Sequence, residues 1–279
     1  MGVLLALLAA ASFGLSDVTG AVAARRVSAL TVTLAIQAVG LLALLPVLLL
    51  VAGTPSRGAW VYGALAGAAG TTGLVVYLRA MAAGPIGVVS PVAALVGAAV
   101  PVGWGVLLAG DQVGLQGSLG ILLGLVAVGA VAYVPNGAVH AASGATVLAA
   151  LLSGVAFGLF FVALDATPPG SGLWPLLGAR IVAVAIMVGA VVLRGRPLLP
   201  HGVGRLTAIS GVADVAGNAL FLLATRVGLL SLVGLLTSLY PVVALLVARW
   251  WLQERLTGLQ AAGVGAAMAA TGLLAAAGA

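Results

Sequence analysis

The chain has 279 residues, of which 63% are hydrophobic and only 6% charged, and its mean hydropathy is +1.31. Soluble domains carry about 25% charged residues, so a water-soluble globule is excluded. A transmembrane helix takes about 20 apolar residues, so this length accommodates about ten crossings and leaves nothing for an extramembrane domain.

The 11 basic residues, all Arg, lie one to three at a time between apolar stretches. That is a topology signal, not the clustered basic face of a nucleic-acid binder. With no Cys, disulfides, thiolate nucleophiles and cysteine metal sites are absent. The apolar runs are too long and too continuous for the alternating strands of a membrane barrel. The opening MGVLLALLAAASFGL lacks the basic leader of a signal peptide and reads as a first span.

In chain order the runs predict spans near 2–23, 28–52, 59–82, 86–109, 114–134, 144–164, 173–193, 203–225, 229–251 and 258–277. They are separated by short breaks such as ARRV, GTPSRG, GDQVG, DATPPGSG and QERLTG. Helices are required because backbone in lipid must satisfy its own hydrogen bonds. Connections this short predict successive helices packed as antiparallel neighbours.

The chain also repeats itself. A shift of 144 residues sets Phe13-Gly14 on Phe157-Gly158 and YLRAMAAG (77–84) on FLLATRVG (221–228), while a shift of 143 sets Asp111 on Glu254. Each copy holds five spans, and an odd number turns the second copy over in the membrane. Such inverted repeats are common among secondary transporters, which bind near the midplane between the halves. The predicted division is a first repeat over 1–134, a connecting loop over 135–142 and a second repeat over 143–279. Arg25, Arg26, Arg79, Arg194, Arg196, Arg205, Arg249 and Arg255 fall on one set of loops, and only Arg57 and Arg226 on the other. The positive-inside rule then places both termini outside.

The segment GLLSLVGLLTSLYPVVALLVARWWLQERLTGLQAAGVGAAMAATGLL (228–274) carries Ser238, Pro241, Glu254-Arg255, Gln260 and Gly263 in a recognisable order. It resembles the closing helices of an EamA-type repeat of the drug/metabolite transporter superfamily. GPIGVVSPVAALVGAAVPVGWGVLLAGDQVGLQGSLG (84–120) is similar to a weaker copy, with Asp111-Gln112 in place of the acidic-basic pair and prolines at 91 and 101 out of step with Pro241. The opening AAASFGLSDV (9–18) resembles the family's first helix. The resemblance implies ten helices in two five-helix repeats around a central cavity, moving a small metabolite or drug-like compound by alternating access. It also implies both termini in the cytoplasm, against the arginine count, so orientation stays open. Export through the cytoplasmic membrane, with or without proton coupling, is one expectation; a passive facilitator or channel is the alternative.

Ionisable groups inside spans are functional candidates because burying them costs several kcal/mol unless they are paired or wet. Thr207, Ser210, Asp214, Asn218 and Thr225 share one face of span eight, a stripe that could line a cavity with Asp214 as proton or substrate-amine site. The alternative is an ion pair of Asp214 with Arg180 in span seven. Arg180 could otherwise receive a substrate carboxylate. Asp17, beside Ser12, Ser16 and Thr19, reads as a second titratable group or as a side chain reaching the interface near Arg25 and Arg26. Tyr77, Trp104 and Tyr240 could stack on a flat substrate, whereas Trp60, Tyr62, Trp174, Trp250 and Trp251 read as interfacial belt residues. Pro91, Pro101 and Pro241 are predicted to bend spans four and nine, as gates or binding sites do. Gly63/Gly67/Gly70 and Gly120/Gly124 suit close helix packing, and Asp111 and Glu254 suit capping roles at corners.

The five acids lie in five different segments, and both histidines, His140 and His201, lie in loops. No metal cage and no buried Ser–His pair is predicted, so neither enzyme chemistry nor a metal or other cofactor is expected. The expected partners are a small-molecule substrate and the lipid bilayer, with the chain as a monomer or weak homodimer.

Overall fold

The computed structural model describes residues 1–84, 86–131, 143–252 and 257–277. The predicted connecting loop 135–142, His140, Glu254 and Arg255 lie outside the described residues, as do the side chains of Pro91, Arg249, Trp250, Trp251 and Gln260.

Eleven α-helices account for nearly all of the described chain: α1 (Gly2–Ala24), α2 (Ala29–Leu48), α3 (Arg57–Ala83), α4 (Ile86–Leu107), α5 (Leu115–Val131), α6 (Gly144–Asp165), α7 (Trp174–Leu193), α8 (Gly204–Thr225), α9 (Leu230–Thr237), α10 (Tyr240–Leu252) and α11 (Gly258–Ala277). The sequence dictates several of their ends. Ser56 accepts from the Ala59 amide at 3.1 Å and so starts α3, and Ser143 accepts from the Thr146 amide at 3.2 Å and starts α6, satisfying donors a helix N-terminus otherwise leaves open. Six helices (α1, α2, α3, α6, α7 and α8) are long and apolar enough to cross a bilayer. Shorter apolar stretches are Val92–Leu107, Leu115–Ala130, Leu230–Ala244 and Ala261–Leu274. The protein is therefore an all-α, multi-pass membrane protein.

The predicted ninth span is two helices. Pro241 has no amide to donate to the Thr237 carbonyl one turn back, and the chain breaks at Ser238 and Leu239 before resuming as α10. Span four, by contrast, runs through positions 91 and 101 as the single helix α4. Of the two spans predicted to bend at prolines, the ninth is broken next to Pro241, and the fourth stays one continuous helix past positions 91 and 101.

Packing also departs from expectation. Helices adjacent in sequence touch only lightly; the extensive contacts run between the two halves, α1 on α8, α3 on α6 and α7, α4 on α6, and α5 on α11. The pattern is symmetric. Exchanging α1–α5 with α6–α11 maps α1·α8 onto α6·α3 and α4·α6 onto the contact of α1 with α9 and α10. Glycines permit these approaches. A Cβ at Gly14 would come 2.8 Å from Val243, and one at Gly158 would overlap Val100. These are the same contact in the two halves, with both partners related by the repeat. A Cβ at Gly67 would overlap the Ala179 carbonyl of α7, and one at Gly211 would come 2.8 Å from the Ile36 carbonyl of α2. Small residues that let backbones meet replace the hydrophobic effect as the source of helix association in lipid.

Gly67→Ala is expected to destabilise the protein by about 1–3 kcal/mol, the usual cost of overpacking a tight contact. Gly189→Ala, inside α7 at a position with open space around it, should leave the melting temperature unchanged or raise it slightly, since alanine favours a helix interior over glycine. Thermal unfolding of the detergent-purified variants, followed by tryptophan fluorescence, checks both.

Candidate transport site

Midway along the helices the bundle parts around a cavity enclosing roughly 770 Å³, counting the space at its mouth. Its walls come from α1 (Phe13, Asp17), α2 (Gln37), α3 (Thr71 and neighbours), α4, α6 (Phe157, Phe160, Phe161), α7 (Arg180), α8 (Asp214, Asn218) and the α9–α10 break (Ser238, Tyr240). Helices α5 and α11 pair with each other outside it.

The lining is related by the repeat to an extent packing alone does not require. Phe13 and Phe157, Asp17 and Phe161, Gly70 and Asp214, and Leu74 and Asn218 all lie on the wall, and the members of each pair are 144 residues apart. The positions are equivalent and the chemistry is not.

Arg180 is the electrostatic centre. It is 3% exposed, pairs with the Asp214 carboxylate at 2.5 Å and donates to the side-chain oxygen of Gln37. Asn218 donates to the same Asp214 oxygen at 3.2 Å, one turn along α8, and Gln37 donates to the Thr71 hydroxyl at 3.3 Å. A guanidinium, planar and always charged, is suited to such a buried fork. The alternative anticipated for Asp214, an ion pair with Arg180, is what the structure contains; both partners also face the cavity. Room for the guanidinium comes from α2, where a Cβ at Gly40 would lie 3.0 Å from it.

Asp17 is held differently. It faces the cavity, not the interface near Arg25 and Arg26, and accepts a hydrogen bond from Tyr77 at 2.6 Å. Tyr77 is fully buried against Phe157, with ring centroids 5.5 Å apart, and is not part of the wall. Its role is to position Asp17. Tyr240 is on the wall with its hydroxyl beside that of Tyr77, and the Ser238 hydroxyl is buried without a hydrogen-bond partner among the described residues.

Other expected site residues lie elsewhere. Ser210 is fully buried and donates to the Ser16 carbonyl at 2.9 Å, so it fastens α8 to α1. Trp104 is 43% exposed on the outer surface and is not on the wall. Pro101 is buried against α9, where a Cβ at Gly234 would lie 2.8 Å from its ring. Asp111 does cap a helix, but in the opposite half: its carboxylate accepts from the Ser231 amide at 3.0 Å, in the first turn of α9. Arg226, at the end of α8, donates to the Thr167 carbonyl at 2.8 Å and to its hydroxyl, tying down the turn between α6 and α7.

The EamA-like transporter family matches this chain over residues 1–133 and again over 144–276. The chain belongs to the EamA-like transporter family. It is thus a membrane transporter of the drug/metabolite type, in a family of transporters and not of enzymes. A crystal structure of another protein is similar to it, with 20% identity, coverage of 96% of each chain and a TM-score of 0.66; at that identity the likeness shows the fold alone. No curated protein matches the chain.

For an EamA-like transporter the residues sequence reasoning overlooked are informative. Gln37, Thr71, Phe160 and Ser238 all line the cavity. Gln37 had a readable signal, as the one amide side chain in span two. Phe13 and Phe157 had one in the internal repeat, which aligned them before their position was known.

Arg180→Met should cost about 3–5 kcal/mol, the penalty for leaving a buried carboxylate without its partner. The double variant Arg180→Met/Asp214→Asn should lose less than the single one. Unfolding midpoints of the variants, compared as a double-mutant cycle, check the coupling.

Proposed function

We propose that this protein is a secondary active transporter that exports a small metabolite or drug-like compound across the cytoplasmic membrane by alternating access, with Asp17 exchanging a proton. The observation that carries the reading is the cavity itself: a largely apolar chamber midway along the helices, walled by equivalent positions of both halves and carrying two carboxylates, one paired with Arg180 and the other without a cation partner among the described residues.

Ten crossings follow if the four shorter apolar stretches complete the six long ones. Five crossings per half turn the second half over, and the exchange symmetry of the helix contacts fits two such halves rocking about the shared site. Relative motion of the halves exposes the chamber to one side and then the other. The Ser238–Leu239 break next to Pro241 is a natural hinge, since backbone without a continuous hydrogen-bond ladder bends at little cost. Pro101, seated against Gly234, couples α4 to that hinge.

The proton role falls to Asp17 because Asp214 is engaged. Arg180 and Asn218 both bind the same Asp214 oxygen, so that carboxylate is committed to the buried guanidinium. Among the described residues Asp17 has only the Tyr77 hydroxyl as partner, so it can take up or release a proton with the loss of one hydrogen bond. An ionisable side chain inside a membrane is a functional-site candidate, and a proton relay is one of its uses.

In proteoliposomes, an imposed pH gradient should accelerate flux of at least one compound in a radiolabelled panel of amino acids, sugars and aromatic amines. Asp17→Asn should reduce that gradient-driven component by about a hundredfold or more, the loss expected when a relay proton is removed. Gradient-driven flux that persists in Asp17→Asn overturns the coupling assignment.

A further inference from the structure

The lining contains three charged side chains, Asp17, Arg180 and Asp214. The last two cancel at 2.5 Å, so the charge of the chamber is set by Asp17, which gives it one net negative charge whenever its carboxyl is ionised. A carboxylate offers about four acceptor sites, and Tyr77 fills one. Asp17 is linked to an aromatic wall through Tyr77, whose ring lies 5.5 Å from that of Phe157. Phe13, Phe157, Phe160, Phe161 and Tyr240 line the chamber, and these rings brace one another: Phe13 on Phe161 at 6.1 Å, Phe160 on Phe161 at 5.5 Å, and Phe161 on the buried Phe221 at 4.3 Å. The aromatic wall is therefore fixed before any ligand arrives.

A second observation is independent of charge. The break between α9 and α10 brings Ser238 and Tyr240 to the wall, at 1% and 7% exposure. The Tyr240 hydroxyl lies beside that of Tyr77, and the Ser238 hydroxyl is buried without a partner among the described residues. An orphaned buried hydroxyl is costly, and at the wall of a chamber a polar group of a guest completes its hydrogen bonding.

From these features we infer that the cavity's ligand is a small organic ammonium bearing an aromatic ring, its nitrogen on Asp17 within reach of Tyr240 and Ser238 and its ring among Phe157, Phe160 and Phe161. The inference rests on the transporter reading only for the ligand's movement, not for its binding. An ammonium supplies the missing positive charge, donates to the open Asp17 lone pairs and to the two hydroxyl oxygens, and gains from neighbouring ring faces. A carboxylate ligand would need Arg180, whose guanidinium is already taken by Asp214 and Gln37, and it would enter a chamber of its own sign. A neutral aromatic gains the wall and leaves Asp17 unmatched.

Binding to the full-length protein in detergent, by calorimetry, separates these cases with four probes of similar size: phenethylammonium, 2-phenylethanol, cyclohexylethylammonium and benzoate. Phenethylammonium should bind roughly tenfold tighter than 2-phenylethanol, as expected for one buried charge-assisted contact. It should bind roughly threefold tighter than the cyclohexyl analogue, the increment of an aromatic pair, and benzoate should not bind measurably. Asp17→Asn should level the amine with the alcohol, and Asp17→Glu should keep the order. Alcohol or benzoate binding as tightly as phenethylammonium overturns the charge assignment, and equal binding of the two amines overturns the aromatic one. The wild-type ranking decides both, so an Asp17→Asn variant that fails to fold removes nothing from the test. The same probes in proteoliposomes separate this inference from the transporter reading. Binding in the expected order with no flux overturns transport and leaves the ligand class. Flux of benzoate equal to that of phenethylammonium overturns the ligand class and leaves transport.

Discussion

A guanidinium in the middle of a lipid-embedded bundle must be met by an anion and by hydrogen-bond acceptors, or it cannot stay there. Arg180 meets that condition by recruiting Gln37 from α2 and Asp214 from α8. Three helices from two halves are thereby fixed in register around one side chain. The pair adds little net stability, because desolvating two charges consumes most of their attraction. Its effect is positional: with Asn218 and Thr71 attached, the network makes one arrangement of α2, α3, α7 and α8 far better than a slipped one. It also keeps the centre of an otherwise oily protein polar enough to hold a chamber.

Around this network the two halves use the same backbone scaffold for different chemistry. Gly14 meets Val243 and Gly158 meets Val100 in equivalent places, so the close approaches are shared. The side chains on the wall are not: Asp17 stands where the other half has Phe161, and Asp214 where the other half has Gly70. Identical halves would set equal charges facing each other across the axis, which the low dielectric penalises. Divergence resolves that conflict by giving one half the apolar or vacant member of each pair. The consequence is a site whose charged and aromatic side chains differ between the two halves inside a symmetric frame.

How much of this was readable in the sequence depends on which physical constraint set each feature. The bilayer fixes where apolar runs begin and end, and it does so residue by residue: runs predicted at 144–164, 203–225 and 258–277 are Gly144–Asp165, Gly204–Thr225 and Gly258–Ala277. Asp17, Asp214, Asn218, Arg180 and Tyr240 were legible because polar groups in such runs are conspicuous, and all five lie on the cavity wall. Helix partners were not legible. Short loops suggest neighbouring helices, but association in lipid is decided by which small residues face each other, and those facing pairs lie across the two halves. For the same reason Ser210 and Trp104 misled: on a helix wheel both look available, and only the placement of α1 and α4 shows that one is sealed against Ser16 and the other turned outward. Asp111 kept its predicted chemistry and changed its address, since a capping carboxylate needs free amides and the nearest in space belong to α9.

The single break at Ser238 and Leu239 draws these strands together. Prolines alone do not predict it, because α4 passes positions 91 and 101 without interruption. A missing amide is tolerated where neighbouring groups accommodate the freed carbonyl, and α4 keeps its helix although Ala93 and Gly97 place it on the same chamber. At the break the chain is packed closely on α1, where a Cβ at Gly14 would lie 2.8 Å from the Tyr240 carbonyl, and the unwound turn delivers Tyr240 and Ser238 to the wall. The break thereby equips the cavity. A broken helix that borders a chamber is also one whose geometry can respond when that chamber is filled, which gives occupancy a mechanical route to the packing of α4, α9 and α10.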